Sequence, residues 1–178
     1  DPFAALQRAL DGHEIVGVAG SRLVSGPAVL WAGQPHLFGV VAYPAENGIK
    51  MAVYSLATGV LPGMQALDGL LVAVQRPAAL SIGFDAETFD GFHFYDLDFV
   101  YRAHLAGLRI AVSTGILAVH ASEGRFDEDW NRYAQRFMRK FPRLAAPKGP
   151  SFSFARRLAT REQAVRFHED LNAMGAIA

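Results

Sequence analysis

Asp96 and Asp98 stand two residues apart at the head of a helically patterned segment, and His120 closes an apolar run further along the chain. Asp68-Gly69 sits inside a third apolar stretch. Between them lie Gly83-Phe84-Asp85 and Gly91-Phe92-His93-Phe94-Tyr95. Two carboxylates held close together resist ionising together, so one is expected to keep its proton to a higher pH, where a general base works. An imidazole at a strand end can donate, accept or ligate. The same residues also have ordinary readings. Aspartates in the first turn of a helix satisfy its free N–H groups and its dipole. His120 can close a strand-end hydrogen bond, Asp68-Gly69 can be a bulge or turn within a strand, and His93, between two phenylalanines, can be packed in its loop. His13, His36, His104 and His168 show no ligand spacing and read as structural.

The elements that must position these groups follow from period and punctuation. Pro2–Leu10 predicts a helix, capped by Asp1 with Pro2 at its first position, and Asp11-Gly12 ends it. Glu14–Ala19 predicts a buried strand. Short strands are expected around Ala28–Trp31, Leu37–Tyr43 and Ile49–Leu56, forming an antiparallel excursion broken by Gly, Pro and Asn. Gln65–Val74 predicts one buried strand that carries Asp68-Gly69, and Pro77–Ser81 a short helix or turn. Gly83–Phe94 is a loop, and Tyr95–Ala106 the clearest helix, closed by Gly107. Strands at Arg109–Val112 and Gly115–Val119 lead to His120. Glu123–Phe141 predicts a charged amphipathic helix, with the Phe126–Phe141 aromatic stripe read as packing rather than as a sugar platform. Pro142, Pro147 and Pro150 mark a linker, and Ser151–Asn172 predicts a peripheral helix whose Arg156, Arg157 and Arg161 form a solvated face.

Composition narrows the functions. The chain has 178 residues, 51% hydrophobic and 19% charged, which suits a folded domain of α/β type. Seventeen basic residues balance seventeen acidic ones, leaving no global field for nucleic acid or an anionic membrane. No cysteine is present, which removes thiolate metal sites and a cysteine nucleophile and fits a reducing, cytoplasmic setting. No apolar run approaches the ~20 residues of a membrane span. Gly17, Gly20 and Gly26 do not form a dinucleotide fingerprint, and neither a phosphate-binding P-loop nor a G-x-S-x-G elbow occurs.

In their order, GFDAETF (Gly83–Phe89), YDLDFVYRAHLAG (Tyr95–Gly107) and AVH (Ala118–His120) resemble the C-terminal half of family-2-like glycosyltransferases of the GT-A fold. There a Gly-Phe-Asp-Glu, Glu-Asp-x-Asp, Arg, Gly, His order recurs. GVAGS (Gly17–Ser21) and LDG (Leu67–Gly69) resemble the branch in which Tyr-Asp replaces Glu-Asp, and the likeness spans roughly residues 14–141. It implies an α/β fold with a GT-A-like mixed central sheet flanked by helices, in a domain over 1–146 followed by a linker and peripheral helical tail over 147–178.

The resemblance further implies an inverting transfer from a nucleotide-diphospho-sugar, uridine being the commonest nucleotide, to an acceptor, assisted by Mn²⁺ or Mg²⁺. Asp96 takes the place of the base, and His120 that of a metal or diphosphate contact. Asp68, Gly69, His93, Tyr95 and Asp98 fall on the substrate side, and Arg139 and Lys140 in a segment that closes over the diphosphate. The family's Asp-x-Asp motif and first nucleotide-binding strands do not occur in residues 1–20. The chain opens Asp1-Pro2 without a methionine, so a processed or truncated chain, incomplete at its N-terminus, is expected. Two other readings stay open: a non-catalytic nucleotide- or carbohydrate-binding module of the same fold, and a metal-dependent hydrolase built on Asp96, Asp98 and His120.

Overall fold

The computed structural model describes residues 1–121, 126–144 and 154–175. Its first helix, α1 (Pro2–Gly12), starts as the sequence predicts: Oδ1 of Asp1 accepts from the backbone N–H of Phe3 at 2.9 Å, and Pro2 needs no partner there. The buried strand expected over 14–19 is two strands, β1 (Ile15–Gly17) and β2 (Ala19–Ser21), and they belong to different sheets. Val18, fully packed, is the corner between them.

The architecture is the mixed α/β, GT-A-like arrangement that was expected, with two sheets flanked by helices. The first contains β1, β5 (Val60–Pro62), β7 (Val72–Val74) and β8 (Ile110–Ser113), in the order β5-β8-β1-β7. β1 runs parallel to β8 and antiparallel to β7. The second has the order β10-β4-β3-β2-β6, from β2, β3 (Leu37–Ala45), β4 (Gly48–Val53), β6 (Ala66–Leu67) and β10 (Phe154–Leu158), with β9 (Ala118–Val119) parallel to β3.

The antiparallel excursion is the β3–β4 hairpin, whose pairing runs from Val40↔Val53 to Ala45↔Gly48. Gly48 has φ 113°, and a Cβ there would strike the carbonyl of Leu158 on the neighbouring β10, so both the turn and the close approach call for glycine. Residues 29–32, expected as part of a strand, form a 3₁₀ turn. The predicted 65–74 strand is split: β6 joins the second sheet and β7 the first, so Asp68-Gly69 is the passage from one to the other.

The helices α2 (Arg76–Ile82), α3 (Tyr95–Leu105) and α4 (Glu128–Lys140) match their predicted positions, although 123–125 of the last prediction lie outside the described residues. α3 packs Phe99, Val100 and Ala103 against Ile15, Ile110 and Val112 of the first sheet. Its other side meets α4 through Leu97, Tyr133, Ala134 and Phe137, with Phe89 and Phe94 of the loop between. Burying an aromatic or branched side chain contributes roughly 1.5–3 kcal/mol, so this double packing holds the start of α3 firmly.

Of the stretch expected as a peripheral helix over 151–172, residues 151–153 lie outside the described residues and the remainder holds β10 followed by α5 (Arg161–Gly175). β10 pairs along all of β4, from Phe154↔Val53 to Leu158↔Ile49, and α5 buries Ala164 and Leu171 against Val40, Met51 and Val53. The edge of β4 had unpaired backbone groups to offer, and a strand satisfies them where a helix could not. Of the linker expected at Pro142, Pro147 and Pro150, residues 145–150 lie outside the described residues. Among the described residues no helix is long and apolar enough to cross a membrane.

Candidate active site

Three connections converge on one cleft: the β6–β7 passage, the loop into α3 and the end of β9. It has a volume of about 960 Å³ and reaches to α4 and the 27–29 segment. Asp68, Gly69, His93, Tyr95, Asp96 and His120, six of the residues singled out from the sequence, all face it.

Asp96 is the second residue of α3. Its Oδ1 accepts from the N–H of Leu97 at 2.9 Å, and a Cβ on Gly69 would collide with its Oδ2, so the passage between the sheets runs directly against the carboxylate. Burial raises its pKa above the ordinary 3.8, helped by the charge of Asp68 and opposed by the backbone N–H groups of Leu97 and Asp96 and by His93. The like charge that adds to burial is thus that of Asp68, not that of Asp98 as the spacing had suggested. Asp68 is fixed by a turn in which its Oδ1 accepts from the N–H of Leu70 at 2.9 Å.

The residue before α3 is Phe94, left-handed at φ 71°. A bulky residue stays in that conformation only when its surroundings impose it. Here the ring is buried, 5.4 Å from Trp130 and 5.7 Å from Phe137. The left-handed turn leads directly into the first turn of α3, whose Asp96 lines the cleft.

His120 follows β9, its N–H donating to the carbonyl of Ala42 at 2.7 Å and its ring 5.6 Å from that of Tyr43. Among the described residues its buried Nδ1 has no hydrogen-bond partner, a cost accepted mainly where a ligand will supply one. One orphaned imidazole nitrogen is a fitting ligand for a cation. Among the described residues, however, no three side chains of histidine, aspartate or glutamate come together to hold one, so the protein side of a metal site is incomplete there.

Three expected site residues lie elsewhere. Asp98 is wholly buried, its Oδ2 accepting from Nε of Arg102 at 2.7 Å and its Oδ1 from Nζ of Lys140 at 2.6 Å. Lys140 also donates to Oδ2 of Asp85 at 2.7 Å, while Arg102 donates to the carbonyls of Ile82 and Gly83, both at 2.7 Å. Asp98 and Lys140 are therefore structural ties and do not line the cleft. Arg139 is exposed on the outer face of α4. With Asp98 sealed away, the hydrolase arrangement of Asp96, Asp98 and His120 is not assembled.

The cleft is also lined by Phe92, Asp127 and Asp129, which the sequence reading did not place in a site, and by Phe126 and Trp130, which it assigned to helix packing. The aromatic stripe of α4 divides: Tyr133 and Phe137 are packed as expected, whereas Phe126 stays 69% exposed at the mouth. The available signal was its position one residue before the helix cap Asp127, whose Oδ1 accepts from the N–H of Trp130 at 2.9 Å, outside the helix's own packing face.

A family model described as a glycosyltransferase-like family matches residues 11–141, most of the chain and all three cleft connections. The chain belongs to that family. Neither a search of curated proteins nor one of solved structures found a match. In this glycosyltransferase-like chain the matched segment ends at Phe141, so it includes α4 and leaves β10 and α5 beyond it.

Proposed function

We propose that the chain transfers a sugar from a nucleotide-diphospho-sugar, with uridine diphosphate as leaving group, to a hydroxyl acceptor in the cleft, with inversion. Asp96 is the general base. The observation that carries this reading is a carboxylate with a raised pKa, held at a rigid helix start inside a cleft of substrate size. Asp96 takes the proton of the acceptor hydroxyl as its oxygen bonds to C1 of the donor sugar. The bond from C1 to the diphosphate oxygen breaks on the opposite face, and the electron pair leaves with the diphosphate. Asp68 and Gly69 contact a sugar at the crossing between the sheets, and Tyr95 and His93 border the acceptor.

His120 offers its free Nδ1 toward the diphosphate. Mn²⁺ or Mg²⁺, when bound, would offset phosphate charge there, with His120 as its ligand from the described residues. Calorimetric titration of UDP on the full chain, with and without Mn²⁺, tests the donor side. Binding that needs the cation and weakens in His120→Ala is expected, and no binding under either condition removes the donor claim.

A second reading, a non-catalytic carbohydrate- or nucleotide-binding module, draws on the cleft's lining, which among the described residues includes no lysine or arginine to meet a diphosphate. Turnover of a UDP-sugar that Asp96→Asn abolishes, with ligand binding retained, decides for the enzyme. Binding with no turnover in the wild type decides for the module.

A further inference from the structure

We propose that Phe126 and Trp130, at the entrance to α4, are the platform on which the acceptor stacks, and that the ring they take is a sugar bearing no phosphate or carboxylate, neutral or amino-substituted. The proposal rests on the transfer reading only in calling this sugar the acceptor.

Phe126 is 69% exposed while its edge meets Trp130 at 5.0 Å. An apolar residue before a helix cap often packs back onto the first turn, and that contact exists here, yet most of the ring is left in water. Phe92 on the facing loop is 80% exposed, and its ring lies 5.4 Å from that of His93 and 6.5 Å from that of Tyr95. Aromatic groups left open on a cleft mouth mark a site to be covered. Their flat faces suit the C–H side of a pyranose ring, whose hydroxyls then point to its edges.

Those edges meet carboxylates. Asp127 and Asp129 flank the platform and Asp68 and Asp96 form the floor, whereas the described lining has no lysine or arginine. Carboxylates accept from sugar hydroxyls and attract an ammonium, but a phosphate or uronate carried by the ring on the platform, beside Asp127 and Asp129, would be repelled. Asp129 is exposed and forms a surface ion pair with Arg132 at 3.1 Å. The lining thus selects by charge as well as by shape.

The test applies the labelled full chain to an array of neutral, amino-bearing, uronate and phosphorylated oligosaccharides, followed by calorimetry of those retained. Retention of neutral or amino-bearing glycans is expected, weakened about tenfold or more by Phe126→Ala, with Trp130→Phe keeping more affinity than Trp130→Ala. Because Phe126 is exposed, its alanine variant should melt like the wild type, so a loss of binding reports the platform and not the fold. Preferential retention of uronate or phosphorylated glycans, retention of none, or unchanged affinity in Phe126→Ala would overturn the proposal. Glycan binding without any turnover leaves the platform standing and removes the transfer reading. Turnover whose acceptor KM is indifferent to Phe126→Ala does the reverse.

Discussion

Burial that raises the Asp96 pKa also sets how that residue acts on stability, and the two effects oppose each other. A folded-state pKa above the unfolded value means that the folded chain binds the proton more readily, so the contribution of Asp96 to stability is full at low pH and is lost as pH rises through the raised value. At neutral pH the buried charge is a liability that function retains. Asp96→Asn is therefore expected to melt at the same temperature as the wild type or higher at neutral pH, the gap closing on acidification below the ordinary carboxylate value of 3.8, while turnover falls about 10²–10⁴-fold. The acid limb of the wild-type kcat/KM profile should lie above that ordinary value; a limb at or below it would remove Asp96 as the titrating base. Gly69 makes a separate test. A methyl group there must displace Oδ2 of Asp96 but meets no backbone atom among its nearest neighbours, so Gly69→Ala should leave the melting temperature nearly unchanged and lower kcat more than it alters KM. Equal activity in that variant would show that the carboxylate's orientation does not matter.

α3 aims Asp96 only because its far side is tied down. Asp98, one turn from Arg102 on the same helix, collects Arg102 and Lys140, and Lys140 joins the 83–85 loop through Asp85. The Lys140 ammonium holds the Asp85 carboxyl well below its usual range, with the Thr88 N–H adding to it, so the stability from Asp85 is present above its ordinary pKa and is lost as pH falls toward the folded value. Asp98→Ala takes the shared carboxylate from both cations at once and is expected to cost about 3–5 kcal/mol in urea unfolding; Lys140→Ala leaves Asp98 bonded to Arg102 and should cost less, whereas Arg139→Ala, on the solvent face, should cost almost nothing. The pair of aspartates two residues apart was visible in the sequence, and so was the helix that carries them. Which one faced water was not, because a helix start turns successive residues by about 100° and only the partners of Asp98, contributed from residue 140 and from the same helix, decide which carboxylate is sealed. The same limit explains β6 and β7. An apolar run reads as one strand until long-range pairing sends its two ends into different sheets, and only then does Asp68-Gly69 become a crossing that touches Asp96.

The whole molecule is held by packing on both sides of the hairpin sheet, and the C-terminal segment supplies one of those sides. β10 completes the edge of β4, a contact that local pattern at 151–158 could not announce, and α5 returns to the end of the first sheet through Asn172. Nδ2 of Asn172 donates to the carbonyl of Thr114 at 3.1 Å, and Oγ1 of Thr114 donates to Oδ1 of Asn172 at 2.7 Å while accepting from the N–H of Gly59 at 2.8 Å. His168, 6% exposed, lies one turn before Asn172 on α5, its Nε2 3.3 Å from Nδ2 of Asn172. Burial lowers its pKa below the ordinary 6.5, partly offset by the Thr114 backbone and the charge of Glu169. A lowered folded value for a histidine means that the unfolded chain binds the proton first, so stability is full above about pH 6.5 and declines as pH falls below it. His104, half-buried on α3 and shifted the same way by burial, adds to that slope from the other side of the molecule. Melting temperature measured between about pH 7.5 and 5 should therefore fall, and His168→Gln, which keeps a neutral polar side chain at every pH, should flatten the fall while His104→Gln flattens it less. Proteolysis separates the local from the global effect: cleavage within 161–175 that accelerates on acidification in the wild type but not in His168→Gln means that α5 releases ahead of the core. An identical pH slope in both proteins would show that α5 is not held through a neutral His168.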